Sequence, residues 1–130
     1  MERSADWLNQ AQGDLAHAKN DLADGFYDWS CFSAQQAAEK AVKAVLYREG
    51  GEAWGHSVAD LLGGTGASLP IPADLIDAGL ELDKVYIAAR YPDAHPSGAP
   101  RNRYTRTEAQ RLVEYAERII QFCESHLSTL

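Results

Sequence analysis

The sequence predicts an all-α fold, an antiparallel up-and-down bundle of four main helices with one short extra helix. Three observations predict it. Apolar residues recur three and four apart in four separate stretches. No β-branched alternating run and no convincing hairpin turn occurs anywhere. Glycine or proline punctuates the ends of the periodic stretches.

The first helix is expected from about Ser4 to Ala23. Leu8, Ala11, Leu15, Ala18 and Leu22 draw one stripe along it, and Asp24-Gly25 stops it. The second is expected from about Asp28 to Arg48. Cys31, Ala34, Ala38, Ala41 and Val45 form one row; Phe32, Gln35, Glu39, Val42 and Leu46 form its neighbour. Together the rows are wide enough to contact two partners, and Gly50-Gly51 ends the helix. A short helix starts at Ser57, which has capping-box spacing to Asp60, and the Gly63-Gly64-Thr65-Gly66 cluster is expected to break it. That cluster is no phosphate loop, because no Gly-Lys-Ser/Thr follows. The fourth helix is expected from Pro72, a favourable first-turn residue, until Pro92. Tyr91 to Thr105 is a loop rich in Pro, Gly, His and Arg, long enough to suggest function. The last helix is expected from Thr107, paired with Gln110 as a capping box, to His126, with Leu112, Tyr115, Ile119 and Phe122 as its buried row.

The 130 residues, 45% of them hydrophobic, suffice for one folded domain over 1–130. No stretch qualifies as a membrane span, and no basic region precedes an apolar run as in a secretory signal. Cys31 and Cys123 fall inside apolar helical patterns, so buried free thiols and a cytoplasmic setting are expected. Four scattered histidines without ligand spacing argue against a metal site, and no cofactor is expected. The net charge of −7 disfavours non-specific binding to long nucleic acid. Half of the 12 lysines and arginines are nevertheless arginines from Arg90 onward, a local basic bias.

The chemistry sits in two places. Arg90 and His95 lie five positions apart across a helix end. Arginine can grip a phosphate in a two-pronged contact, and a histidine can move a proton at a ribose hydroxyl or a leaving oxygen. Such a pair could cleave an RNA phosphodiester without a metal, with two copies across a twofold axis making the fuller site. An ordinary salt bridge and an exposed loop histidine account for the same spacing. Tyr86, Tyr91 and Tyr104 flank the arginine-rich loop with Arg101 and Arg103, a mixture suited to stacking on bases and equally to protein interfaces. In the second helix, Gln35, Gln36, Glu39, Lys40 and Lys43 cluster beside Trp29 and Phe32. Glu39 and Lys43 are spaced for an ion pair, and a partly buried amide at Gln36 needs a partner. This cluster, with His56, marks an interface or pocket; a plain surface pair is the alternative.

The segments from Trp7 to Gly50, then HSVADLL, ARYPD and EAQRLVEYAERIIQF, cover nearly the whole chain in order. In these the chain resembles the HEPN family, small helical domains of prokaryotes and higher eukaryotes linked to nucleotide binding. The resemblance implies a homodimer. It implies a minimal nucleotidyltransferase as partner, in paired genes of toxin–antitoxin type, and a nucleotide or RNA as ligand. Many members are metal-independent ribonucleases marked by an arginine, four to six residues, then a histidine, and Arg90 with His95 satisfies that spacing. Tyr91 stands where active members commonly carry a polar residue, Pro92 interrupts the helix, and Ser97 replaces a tyrosine frequent in one toxin subgroup. The ARYPD form thus also fits a non-catalytic role. In that role the domain would position a nucleotidyltransferase or its substrate, with Asp93 shaping the loop.

Overall fold

The computed structural model describes residues 2–65 and 69–128. Helix α1 spans Ser4–Asp24, α2 Tyr27–Arg48, α3 Val58–Gly64, α4 Ala73–Asp83, α5 Val85–Ala88 and α6 Arg106–Ser128. Among the described residues there is no strand, and no helix is long and apolar enough to cross a membrane.

Gly25, at φ +84°, closes α1 in the left-handed region. The Phe26 N–H then returns to Asp21 O at 2.9 Å, so α1 and α2 fold into a tight helical hairpin. Cross-links between the helices give the other directions. Gln12 bonds Glu124, and Lys19 pairs with Glu117. Rising numbers on α1 thus meet falling numbers on α6, so these two run antiparallel. Asp74 with Arg118 and Glu81 with Arg111 set α4 antiparallel to α6 in the same way. The bundle is the expected one.

Helix α2 is its axis. Fifteen of its 22 residues are buried, which is why it lacks a single apolar stripe. Ala34, Ala37, Ala38, Ala41 and Ala44 are wholly inaccessible. Their small side chains let α1 and α6 approach closely. Buried Ser30 satisfies its hydroxyl by donating to Ala18 O across that seam at 2.8 Å.

Four expectations at helix ends need correction. The helix expected from Pro72 to Pro92 is broken at Lys84, whose N–H turns to Glu81 O three residues back. Helix α3 runs on through Gly63 and Gly64, and the Thr65 hydroxyl donates to Leu62 O at 2.7 Å to close it; Gly66 lies outside the described residues. The cap of α6 is Thr105, whose Oγ1 accepts the Glu108 N–H at 3.0 Å. The same Thr-x-x-Glu signature thus acts two residues before the expected box at Thr107. The loop from Tyr91 to Thr105 carries two short 3-10 turns, Pro92–Ala94 and Pro100–Asn102. Ser57 caps α3 as expected, accepting the Asp60 N–H at 3.1 Å.

Candidate functional site

Arg90 follows the last turn of α5 and folds back on it, its Nε donating to Tyr86 O at 2.9 Å. The guanidinium carbon lies 4.4 Å from the Phe32 ring centre, 4.8 Å from that of Tyr86 and 5.2 Å from that of Tyr91. Such stacking contributes about 0.5–2 kcal/mol per contact and fixes the plane of the group. Among the described residues, no ion pair includes Arg90. A half-buried cation is therefore held on aromatic rings without a carboxylate to neutralise it.

His95 reaches the same short helix by a different route. Its Nε2 lies 2.7 Å from Ala88 O. A carbonyl only accepts, so Nε2 carries the proton and Nδ1 is the acceptor of the neutral ring. The ring meets the Tyr104 ring edge-on at 5.8 Å. Tyr104 itself packs against the core. Burial pushes its phenol up to about 12, reinforced by Cys31, Glu108 and Asp28, so it stays protonated. Arg90 and His95 thus hang from carbonyls two residues apart in α5, but they turn to different neighbours and share no hydrogen bond.

The rest of the arginine loop divides. Arg103 donates from Nε to Ser97 O at 2.7 Å and from its terminal nitrogen to Ser97 Oγ. It clasps the turn at Gly98, whose φ is +77° and where an added Cβ would come within 3.0 Å of Arg103 Nε. Arg103 is therefore committed to the loop. Arg101 and Asp93 are exposed, one in each 3-10 turn. Tyr91 is exposed, with the extended backbone that a following proline imposes.

The polar cluster of α2 is a connected network. The Gln35 side chain is inaccessible. Its amide donates to Glu39 Oε1 at 3.1 Å and to His56 O at 2.9 Å, and its carbonyl accepts from Gln36 at 2.8 Å. Glu39, also buried, takes Lys43 at 3.2 Å and His56 Nδ1 at 3.1 Å. Lys43 lies 5.8 Å from the Trp7 ring centre. The His56 ring stacks on Tyr86 at 4.4 Å with 17° between planes, and a cleft of about 200 Å³ opens between His56, Ser57, Asp83 and Tyr86. Lys40 departs to Asp14, 2.6 Å away, on the opposite flank.

Gln36, Gln35, Glu39, His56, Tyr86 and Arg90 thus form one chain of contacts from the core of α2 to the end of α5. The surface patch near Arg90 also carries Trp29, 48% exposed, and Ile87, 51% exposed. Sequence reasoning did not foresee Phe32 as the floor under Arg90, since no local spacing links residues so far apart. It also did not foresee Asp83, whose carboxylate accepts from the Ser57 hydroxyl and the Val58 N–H at 2.6 Å each. Among the described residues, no three His, Cys, Asp or Glu side chains gather as a metal site requires.

The comparisons agree on one family. The HEPN domain model matches residues 4–126. The crystal structure of TT1696 from Thermus thermophilus is 47% identical, with 96% of this chain and 98% of that one covered at a TM-score of 0.94. A HEPN domain protein, TM0613 from Thermotoga maritima, is 57% identical over 95% and 98% of the two chains, with a TM-score of 0.79. ST0689, an archaeal HEPN homologue, is 39% identical over 97% and 98%, with a TM-score of 0.83. No curated protein matches.

Proposed function

Since this chain belongs to the HEPN domain family, we propose that it binds RNA or a nucleotide at the Arg90 site, with Arg90 as the phosphate ligand. The observation that carries this reading is the guanidinium stacked on Phe32, Tyr86 and Tyr91, with no carboxylate partner among the described residues. Its plane is fixed before a ligand arrives, so little ordering is lost on binding. Neighbouring rings offer faces for a base.

The stronger form of the proposal is metal-independent cleavage in a homodimer. His95 Nδ1 would take the proton of a ribose 2′-hydroxyl as its oxygen attacks the adjacent phosphorus; the P–O5′ bond would break to leave a 2′,3′-cyclic phosphate, the departing 5′-oxygen would take a proton from water, and Arg90 would neutralise the charge gathering on the phosphoryl oxygens. Arg90 and His95 share no hydrogen bond within one chain, and in this form of the proposal a second copy completes the pair.

Fluorescence anisotropy with a labelled octauridylate, and a cleavage assay in EDTA, test both forms. Arg90→Ala should weaken binding by about tenfold or more, as expected for losing a charge-assisted contact of ~1.5–3 kcal/mol. His95→Ala should abolish cleavage and leave affinity near the parent value. Equal affinity of Arg90→Ala and parent would overturn the binding reading; an inert parent would overturn cleavage alone.

A second reading, an interaction module for a minimal nucleotidyltransferase, draws support from the exposed apolar side chains of Trp29, Ile87 and Tyr91 around the same site. Co-purification of the two proteins, lost in Trp29→Ala, would favour it.

A further inference from the structure

We infer that His56, oriented by Glu39 and stacked on Tyr86 beside Arg90, is a second ligand-binding side chain of this site and accepts a hydrogen bond from a ribose 2′-hydroxyl, selecting RNA over DNA. The inference rests on the phosphate reading of Arg90.

His56 lies outside any helix, yet it is held at three points. Its carbonyl accepts from the buried Gln35 amide at 2.9 Å, its Nδ1 meets Glu39 at 3.1 Å, and its ring lies on Tyr86. Its side chain is still 53% exposed. A solvent-facing ring that only filled space would not need three restraints. This is the pattern of a side chain preorganised for a ligand.

Glu39 points the same way. Removing a carboxylate from water is costly, and a partner of opposite charge offsets that cost. Lys43 already supplies the charge, 3.2 Å away. The contact to His56 is surplus to that balance, and its effect is on the imidazole. A carboxylate only accepts, so Nδ1 carries the proton and Nε2 is left with the lone pair in the neutral ring. A ligand group meeting Nε2 must then donate. A phosphate diester cannot, whereas a ribose hydroxyl can. Glu39 is a positioning residue in this scheme.

The spacing suits one nucleotide. His56 lies 4.4 Å and the Arg90 guanidinium 4.8 Å from the same Tyr86 ring centre, so the two are at most about 9 Å apart, the sum of those distances. A phosphate at Arg90 leaves its own or the adjoining sugar within reach of His56. The 2′-hydroxyl is the group that distinguishes RNA from DNA of equal base sequence.

The test compares labelled octauridylate with octadeoxyuridylate on the full chain. The parent should prefer the ribo form about tenfold. His56→Phe keeps a ring on Tyr86 and deletes Nε2 together with the Nδ1 contact to Glu39; it should stay folded by circular dichroism, lose that preference and bind both oligomers equally. Glu39→Gln should reduce the preference, and long-range proton–nitrogen spectra should show His56 leaving the Nδ1-protonated form. Unchanged ribo preference in His56→Phe, with Arg90→Ala still weakening binding, would overturn this inference and leave the phosphate site standing. A parent that binds neither oligomer would overturn both.

Discussion

The titratable side chains of the interior give the most direct checks. Burial pushes the thiols of Cys31 and Cys123 up to about 12 each, with Glu108 and Asp28 adding at Cys31 and Glu124 at Cys123. Neither is a thiolate near neutrality, and both are free and buried. A thiol reagent at pH 8 should therefore find no rapidly reacting group in the folded protein and both cysteines after denaturation. Asp21 shows the same effect of burial on a carboxyl. Desolvation raises its carboxyl above the ordinary range, partly countered by His17, 3.3 Å away. A raised carboxyl binds its proton more tightly in the folded state. Its contribution therefore favours folding at low pH and turns unfavourable as pH rises through the folded value. Asp21→Asn should raise the thermal midpoint at pH 7, and the gain should vanish below about pH 3.8, the unperturbed value. A constant gain across that range would remove ionisation as the cause.

Helices rather than loops carried most of what could be read in advance. α1 and α2 were legible because glycines bound them and their apolar rows follow the helical repeat. The burial of Gln35 and Glu39 was only half legible: spacing suggests the Glu39–Lys43 pair, but its depth depends on α1 and α6 covering α2. The interruption at Lys84 was not legible, because Leu82, Tyr86 and Leu75 keep helical spacing straight through it. Nor was the stack of Arg90 on Phe32, a contact made by packing. The α3–α4 seam has a sequence signature visible only in hindsight, Gly79. A Cβ there would lie 3.0 Å from Ala59 N and 3.1 Å from its Cα. Gly79→Ala gains about 1 kcal/mol of helix propensity but must push α3 away. Gly79→Val adds bulk without that gain and should cost ~2–3 kcal/mol of stability by chemical denaturation. A neutral Val variant would mean that α3 shifts freely.

Taken entire, the molecule is an acidic bundle with a small cationic feature. A net charge of −7 repels a polyanion at long range, so attraction must come from few close contacts. Each phosphate neutralised on a single strand contributes a salt slope of about −0.7. With one or two phosphates held, a fourfold rise in salt should weaken octauridylate binding by only about three- to sevenfold. A fall of several hundredfold would point to many more phosphates held than one or two. The fold class and the direction of every main helix follow from patterning, whereas the meeting of Arg90 and Tyr86 with Phe32 and His56 follows from how three separate segments pack.

Tyr86 belongs to a four-residue helix between the break at Lys84 and the proline at 92. A helix turns about 100° per residue. Inserting one alanine between Lys84 and Val85 would swing the tyrosine a quarter-turn away and carry off the shelf shared by guanidinium and imidazole. The long helices would hardly register the change. Val85 and Ala89, buried in the core, would turn with the tyrosine, so such an insertion should yield a folded protein with a lowered melting point that grips nothing: the site hangs on the register of this short peg.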